Sequence, residues 1–313
     1  MSTTTPGSRS ARATDADVPL LKAWLPPAAV GVTLVLWASA FVGIRHLAGD
    51  FSPGALSLGR LLVGTLCLGA AVLVTGRRAT GTRVRPQRRE WLSLVVIGVL
   101  WFGVYNVALN EGERRVDAGT AAMLIQLSPV LIAVLATFFL GERFTPYLAL
   151  GLALAFGGVA VISLATHGSG GGQDVVGVLL CLVSAVVYSV SLILQKPLVG
   201  RLPALHVTWI ACTIGAIACL PFAGQLVSEI GDAPASSTGW LIYLGVFPTA
   251  IAFTTYAFAL RHMDASRLGI TTYLVPPITI LLGWLFLAET PPALAYVGGA
   301  LALVGVAVAR RKR

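Results

Sequence analysis

Charge is scarce in this chain. Only 11% of its 313 residues are Asp, Glu, Lys or Arg, against about 25% in an ordinary soluble domain. So few charges cannot cover a soluble core of this size, which excludes a soluble enzyme and a disordered chain. Cysteine is as sparse. Cys67, Cys181, Cys212 and Cys219 all lie inside apolar runs without metal-ligand spacing, so they read as small packing residues and not as a disulfide framework. The four histidines, His46, His167, His206 and His262, are scattered and form neither a metal site nor a nucleophile–base pair. No Gly-rich loop carries a phosphate-binding Lys, which argues against ATP-driven work. No catalytic constellation, resident metal or cofactor is expected.

What fills the chain is apolar surface. Hydrophobic residues make up 56% of it and Gly accounts for 34 positions. Ten apolar segments follow a polar tail at 1–26, at about 27–46, 54–75, 91–110, 116–140, 146–165, 175–197, 203–227, 238–260, 266–288 and 292–309. Each matches the roughly 20 residues that cross a bilayer as a helix, and barrel strands of about 10 residues are excluded by length. The tail reads as disordered; a signal peptide cleaved after Ala38-Ser39-Ala40 is disfavoured, because nine further apolar segments follow.

The net charge of +9 has a place in this scheme. With an internal N-terminus, 18 of the 22 Lys and Arg fall on the inner side, among them Arg77, Arg78, Arg83, Arg85, Arg88 and Arg89 and the basic end 310–313. By the positive-inside rule both termini are cytoplasmic. Basicity then reflects membrane orientation and implies no nucleic-acid partner.

The chain also repeats itself. Asp117–Val161 aligns without a gap on Asp264–Val308, an offset of 147 residues. Matched pairs include Pro129 with Pro276, Leu140 with Leu287, Glu142 with Glu289, Gly151 with Gly298, and Gly98 with Gly245. Five spans per half is an odd number, so the halves would enter the membrane from opposite sides. Inverted repeats of this kind are the architecture of secondary transporters, with a site near the midplane between the halves.

The run Leu36-Trp37-Ala38-Ser39-Ala40-Phe41, Arg60 in the second span, and the two runs Pro129–Glu142 and Pro276–Glu289 resemble the ten-helix EamA-type transporters of the drug/metabolite transporter superfamily. The resemblance covers residues 28–309. It implies an all-α membrane protein of two inverted five-helix repeats, 27–165 and 175–309, around a central cavity. It further implies export or exchange of small metabolites such as amino acids. The second half has no arginine matching Arg60.

Within the apolar spans as drawn, no Asp or Glu lies centrally; Glu142 and Glu289 sit at helix ends. A cation exporter built on a buried carboxylate is therefore disfavoured, and neutral, zwitterionic or anionic cargo is favoured. Arg60 is the one cation well inside a span. Either it holds a substrate carboxylate, or it snorkels to the interface. The further cavity candidates are Trp37, Ser39, Trp101, Tyr105, Asn106, Gln126, Ser128, Tyr188, Ser191, Thr249, Tyr256, Thr272 and Tyr273. Such side chains line small-molecule sites, but they also bond helix to helix. Pro129, Pro248 and Pro276 lie inside spans and are expected to bend them as hinges or static kinks. The fifth and tenth spans, rich in Gly and Ala, belong at the periphery as scaffold or as the face of a homodimer.

These features describe a multi-pass secondary transporter of the inner or plasma membrane that exports small organic metabolites by alternating access. The proton is a candidate coupling ion. The alternatives are a facilitator or exchanger of anionic metabolites or nucleotide sugars and, from another class, a membrane-embedded enzyme.

Overall fold

The computed structural model describes residues 17–78, 85–141, 145–147, 149–151, 153–154, 157–158, 161, 175–291 and 293–309. Among these residues the protein is helical throughout, with no strand. In the first half the elements are α1 (Asp17–Leu47), α2 (Pro53–Arg78), α3 (Arg88–Ile97), a π-helical turn at Gly98–Val104, α4 (Tyr105–Arg115), α5 (Ala118–Ile125) and α6 (Ser128–Leu140). In the second half they are α7 (Val175–Arg201), α8 (Ala204–Ala218), α9 (Ala223–Asp232), α10 (Ala235–Leu244), a second π-helical turn at Gly245–Ile251, α11 (Ala252–His262), α12 (Ala265–Thr271), α13 (Val275–Leu287) and α14 (Ala293–Ala309).

Among the described residues, six segments are long and apolar enough to cross a bilayer: Trp24–Leu47, Pro53–Thr75, Arg88–Arg115, Ala118–Leu140, Val175–Arg201 and Ala235–His262. A seventh is the pair Ala204–Ala218 and Leu220–Asp232, bent by 52°. The apolar helices Thr272–Leu287 and Tyr296–Gly305 are shorter. Half of the span expected at 146–165 lies outside the described residues, as does Glu142.

Three boundaries differ from the sequence reading. The start of α1 at Asp17 places the last ten residues of the expected tail in a helix. Asp17 and Pro19 both fall in its first turn, and an acidic residue and a proline there are helix-start signals, since the missing N–H breaks no helical bond. The third span does not stop near residue 110 but runs to Arg115. Its polar end is held by the Glu111–Arg115 pair (2.6 Å), four residues apart on one face. The seventh span breaks at Cys219–Phe222, where Pro221 cannot continue the helix.

The repeat is visible element by element. Both π-helical turns, both helices that follow them and both helices α6 and α13 keep the offset of 147 residues at their first and last residues. So do the left-handed residues that end them, Gly141 (φ 71°) and Ala288 (φ 53°). The halves pack reciprocally: α2 lies on the second π-helical turn and α8 on the first, while α1 lies on α11 and α7 on α4. Each crossing needs a glycine. A Cβ on Gly98 would stand 2.6 Å from Ile214 Cβ, and one on Gly245 would stand 2.5 Å from Val63 Cβ. Those contacts match Val63 with Ile214 and Arg60 with Ala211, an offset of 151 residues for the first two helices of each half.

Candidate functional site: a central cavity between the halves

The cavity is walled by both halves. Its aromatic side is built around Trp37 of α1. Ring centroids place Trp37 5.4 Å from Phe253 and 6.0 Å from Tyr188, and Trp101 5.1 Å from each of those two. Edge-on and tilted ring pairs of this spacing lock one another in place. The π-helical turn accommodates Trp101, which is 1% exposed. Tyr105 and Leu109 follow one helical turn apart and also line the space.

Arg60 enters from α2 and is only 4% exposed. Its Nε donates to Thr249 Oγ1 (3.1 Å), while its two terminal nitrogens make no hydrogen bond among the described residues. Thr249 in turn donates to the Leu244 carbonyl (2.8 Å), five residues back, so the wide π turn supplies the acceptor that fixes the threonine. The far end of the cavity lies where both halves are interrupted. Gln126 sits in the turn between α5 and α6 and Thr272 in the 3₁₀ turn between α12 and α13; Thr272 Oγ1 donates to the Gly269 carbonyl (2.6 Å) and lies 3.3 Å from Gln126 Oε1.

Seven of the expected cavity residues therefore line it: Trp37, Arg60, Trp101, Tyr105, Gln126, Tyr188 and Thr272. Thr249 and Tyr256 stand one layer behind, Thr249 holding Arg60 and Tyr256 bonded to the Tyr188 hydroxyl. The others are packing residues or face elsewhere. Ser39 bonds the Leu36 carbonyl (2.8 Å) and Tyr243 (2.7 Å). Asn106 donates to the carbonyls of Trp101 and Phe102 (3.3 and 2.8 Å), which the wide turn leaves open. Ser128 donates to the carbonyls of Ile125 and Ala185, and Ser191 is wholly buried outside the lining. Tyr273 lines a separate space beside α1 and α14 and donates to the Gln126 carbonyl (3.4 Å).

The three prolines lie where the helices are interrupted or widened. Pro129 and Pro276 are the second residues of α6 and α13, where the missing N–H breaks no helical bond. The interruption precedes them. Pro248 lies in the second π-helical turn, but Trp101 occupies its place in the first, so that turn forms without proline.

The EamA-like transporter family matches residues 28–164 and 175–311, one match per half. The chain belongs to that family. This EamA-like transporter is 36% identical over 284 residues to the "Probable terminal-alkyne amino-acid exporter" of Streptantibioticus cattleyicolor, covering 91% of this chain and 93% of that one. It is 30% identical over 277 residues to the uncharacterized transporter YdfC of Bacillus subtilis, covering 87% and 86%. A solved crystal structure shares the fold with a TM-score of 0.63 at 22% identity, covering 91% of this chain and 96% of that one. A multi-pass membrane transporter of small molecules follows from the family and the apolar helices.

Two features of the EamA-like transporter escaped the sequence reading. Phe253 and Phe41 complete the aromatic wall, yet phenylalanines in apolar runs carry no polar mark. The second is a buried acid. The extension of the third span to Arg115 puts Glu113 inside the protein at 0% exposure. The sequence reading places no Asp or Glu at the centre of a span, and Glu113, two residues from the end of its span, is buried without being central. Glu289, read as a helix-end residue, is paired with Arg45: Arg45 Nε donates to Glu289 Oε1 (2.9 Å) and its Nη1 to the carbonyl of Glu113 (3.0 Å).

Proposed function

We propose that this transporter moves amino acids, or metabolites with the same carboxylate and apolar side chain, outward by alternating access between its two halves. One observation carries the reading. Arg60 is the single cation in the cavity lining among the described residues, with its terminal nitrogens uncommitted and an aromatic wall opposite. A guanidinium takes a carboxylate in a bidentate fork. The rings of Trp37, Trp101 and Phe253 offer apolar area for a side chain and π faces for an ammonium. The amino-acid exporter among its relatives supports the same class.

Exchange of nucleotide sugars is the weaker reading, since a diphosphate carries more charge than one arginine balances. The inward orientation of both termini rests on the distribution of Lys and Arg. The test is flux of labelled amino acids into proteoliposomes, with and without a proton gradient. Saturable flux of apolar amino acids that falls about 100-fold in Arg60→Ala supports the reading. Equal flux in that variant, or none in wild type for any amino acid, ends it.

A further inference from the structure

The cavity is lopsided about the repeat. Trp37 corresponds to Tyr188 and Ile125 to Thr272, and all four line it. From these central pairs it extends one way. It takes in Ala40, Phe41 and Ile44 along α1 and Leu109 along α4, toward the end where Arg45 meets the carbonyls of Glu113 and Arg114. At the opposite end Lys196 of α7 meets the carbonyls of Leu260 and Met263. The corresponding steps there, Ser191, Leu192 and Gln195 of α7 and Tyr256 of α11, are no part of the lining and are at most 1% exposed.

Polar atoms lie idle at closed steps. Ser191 Oγ and Gln195 Oε1 are enclosed without a hydrogen bond among the described residues, and so is Asn106 Oδ1 of α4. Each of the three residues corresponds to one that lines the cavity: Ser191 to Ala40, Gln195 to Ile44 and Asn106 to Phe253. A buried oxygen without a donor costs free energy. That cost ends in a state where the oxygen meets water or cargo.

We infer that Ser191 and Gln195, with Asn106, are cargo-binding residues of the opposite-facing carrier: they line the cavity that forms when the second half takes the shape that the first half has here. The inference rests on alternating access between the halves, which inverted repeats provide by letting each half adopt the other's shape. Ala211 corresponds to Arg60, so α8 brings no cation to that cavity. Two amides and a hydroxyl supply the hydrogen bonds instead, donating to a carboxylate and accepting from an ammonium. Cargo of that chemistry is an amino acid or a close analogue. The end of α7 is the cytoplasmic one by the distribution of Lys and Arg, so these are the side chains that cargo bound for export meets first.

Accessibility in the full-length protein, in membrane vesicles of known orientation, tests the lining without any cargo. Ser191→Cys, Gln195→Cys and Ser189→Cys are each treated with a charged, membrane-impermeant methanethiosulfonate. Peptide mass spectrometry separates the new thiol from the four native cysteines. Ser189 is the control: it is as buried as Ser191 and on the same helix, but its counterpart Ala38 does not line the cavity. Ser191→Cys and Gln195→Cys should react about tenfold or more faster than Ser189→Cys, and only from the side where α7 ends. Ile44→Cys should react only from the other side. No reaction at positions 191 and 195, or equal reaction at all three positions of α7, overturns the inference. With L-leucine as cargo, Gln195→Ile, which installs the first half's residue, should raise the half-saturating concentration about tenfold at the face where α7 ends, and much less at the other. Gln195→Ala serves if the isoleucine variant folds poorly. An equal rise at both faces, or none at either, overturns the cargo contact. Side-specific labelling as expected, with no leucine transported by wild type, upholds the exchanged lining and fails the amino-acid reading instead.

Discussion

Trp37 and Tyr188 stand at the same step of corresponding helices, and both face the cavity. Around them the halves agree in some places and part in others. Thr33 reaches the carbonyl of Ala252, and its counterpart Ser184 reaches that of Tyr105, the position matching Ala252. Arg45 caps the carbonyls of Glu113 and Arg114 at the end of α4; Lys196, its equivalent, donates to those of Leu260 and Met263 at the end of α11 (2.7 and 2.5 Å). Arg201 pairs with Glu90, while at the matching contact Ser237 donates to Asp50 (2.6 Å). These shared contacts keep one geometry with changed chemistry, which marks them as scaffold. The halves part in charge at two buried positions, Arg60 against Ala211 and Glu113 against Leu260.

The largest effect expected from breaking this comparison comes at Arg60. Arg60→Ala should cut transport about 100-fold by removing the one cation that lines the cavity among the described residues. The paired variant Arg60→Ala/Glu113→Leu gives the first half the residues of the second. Its thermal unfolding in detergent should stay close to wild type while transport is lost, since the second half buries Ala211 and Leu260 at these positions; a marked fall in melting temperature would show that the charges serve the fold. Next come the two crossings. Gly98→Ala and Gly245→Ala each push a methyl to within 2.6 and 2.5 Å of a neighbouring Cβ, and each should cost about 2 kcal/mol, read as equal falls in melting temperature.

A smaller test uses the left-handed helix ends. Ala288, at φ 53°, bears a strain that Gly141 at φ 71° avoids. Ala288→Gly should stabilise and Gly141→Ala destabilise, each by about 1 kcal/mol. Smallest is the pair of cationic caps. The Arg45–Glu289 pair is 29% exposed on both sides, so Arg45→Ala should cost about 0.5 kcal/mol. Lys196→Ala should match it if the caps are equivalent.

The spans and the repeat were legible in the sequence because both are patterns of apolar length and of spaced Gly, Pro and acidic residues. Pro129 and Pro276 gave the register of the interruptions, but a proline in an apolar run does not by itself reveal whether a helix bends through it or restarts there. Glu113 was hidden by local composition. The stretch Asn110-Glu111-Gly112-Glu113-Arg114-Arg115 reads as a loop, and only Arg45, from a distant helix, caps its carbonyls. The π-helical turns left one trace, the paired Gly98 and Gly245, whose meaning depends on side chains of the other half. Arg60, Trp37, Trp101 and Tyr188 were legible because polar or aromatic bulk within a bilayer span is rare enough to stand out.

The wide turns are one device used twice. A π turn holds one residue more than an α turn. Here both halves hold theirs at the same step, and the halves align across it without a gap. Each half therefore meets the other where its own helix is widened, and both crossings depend on the same backbone geometry.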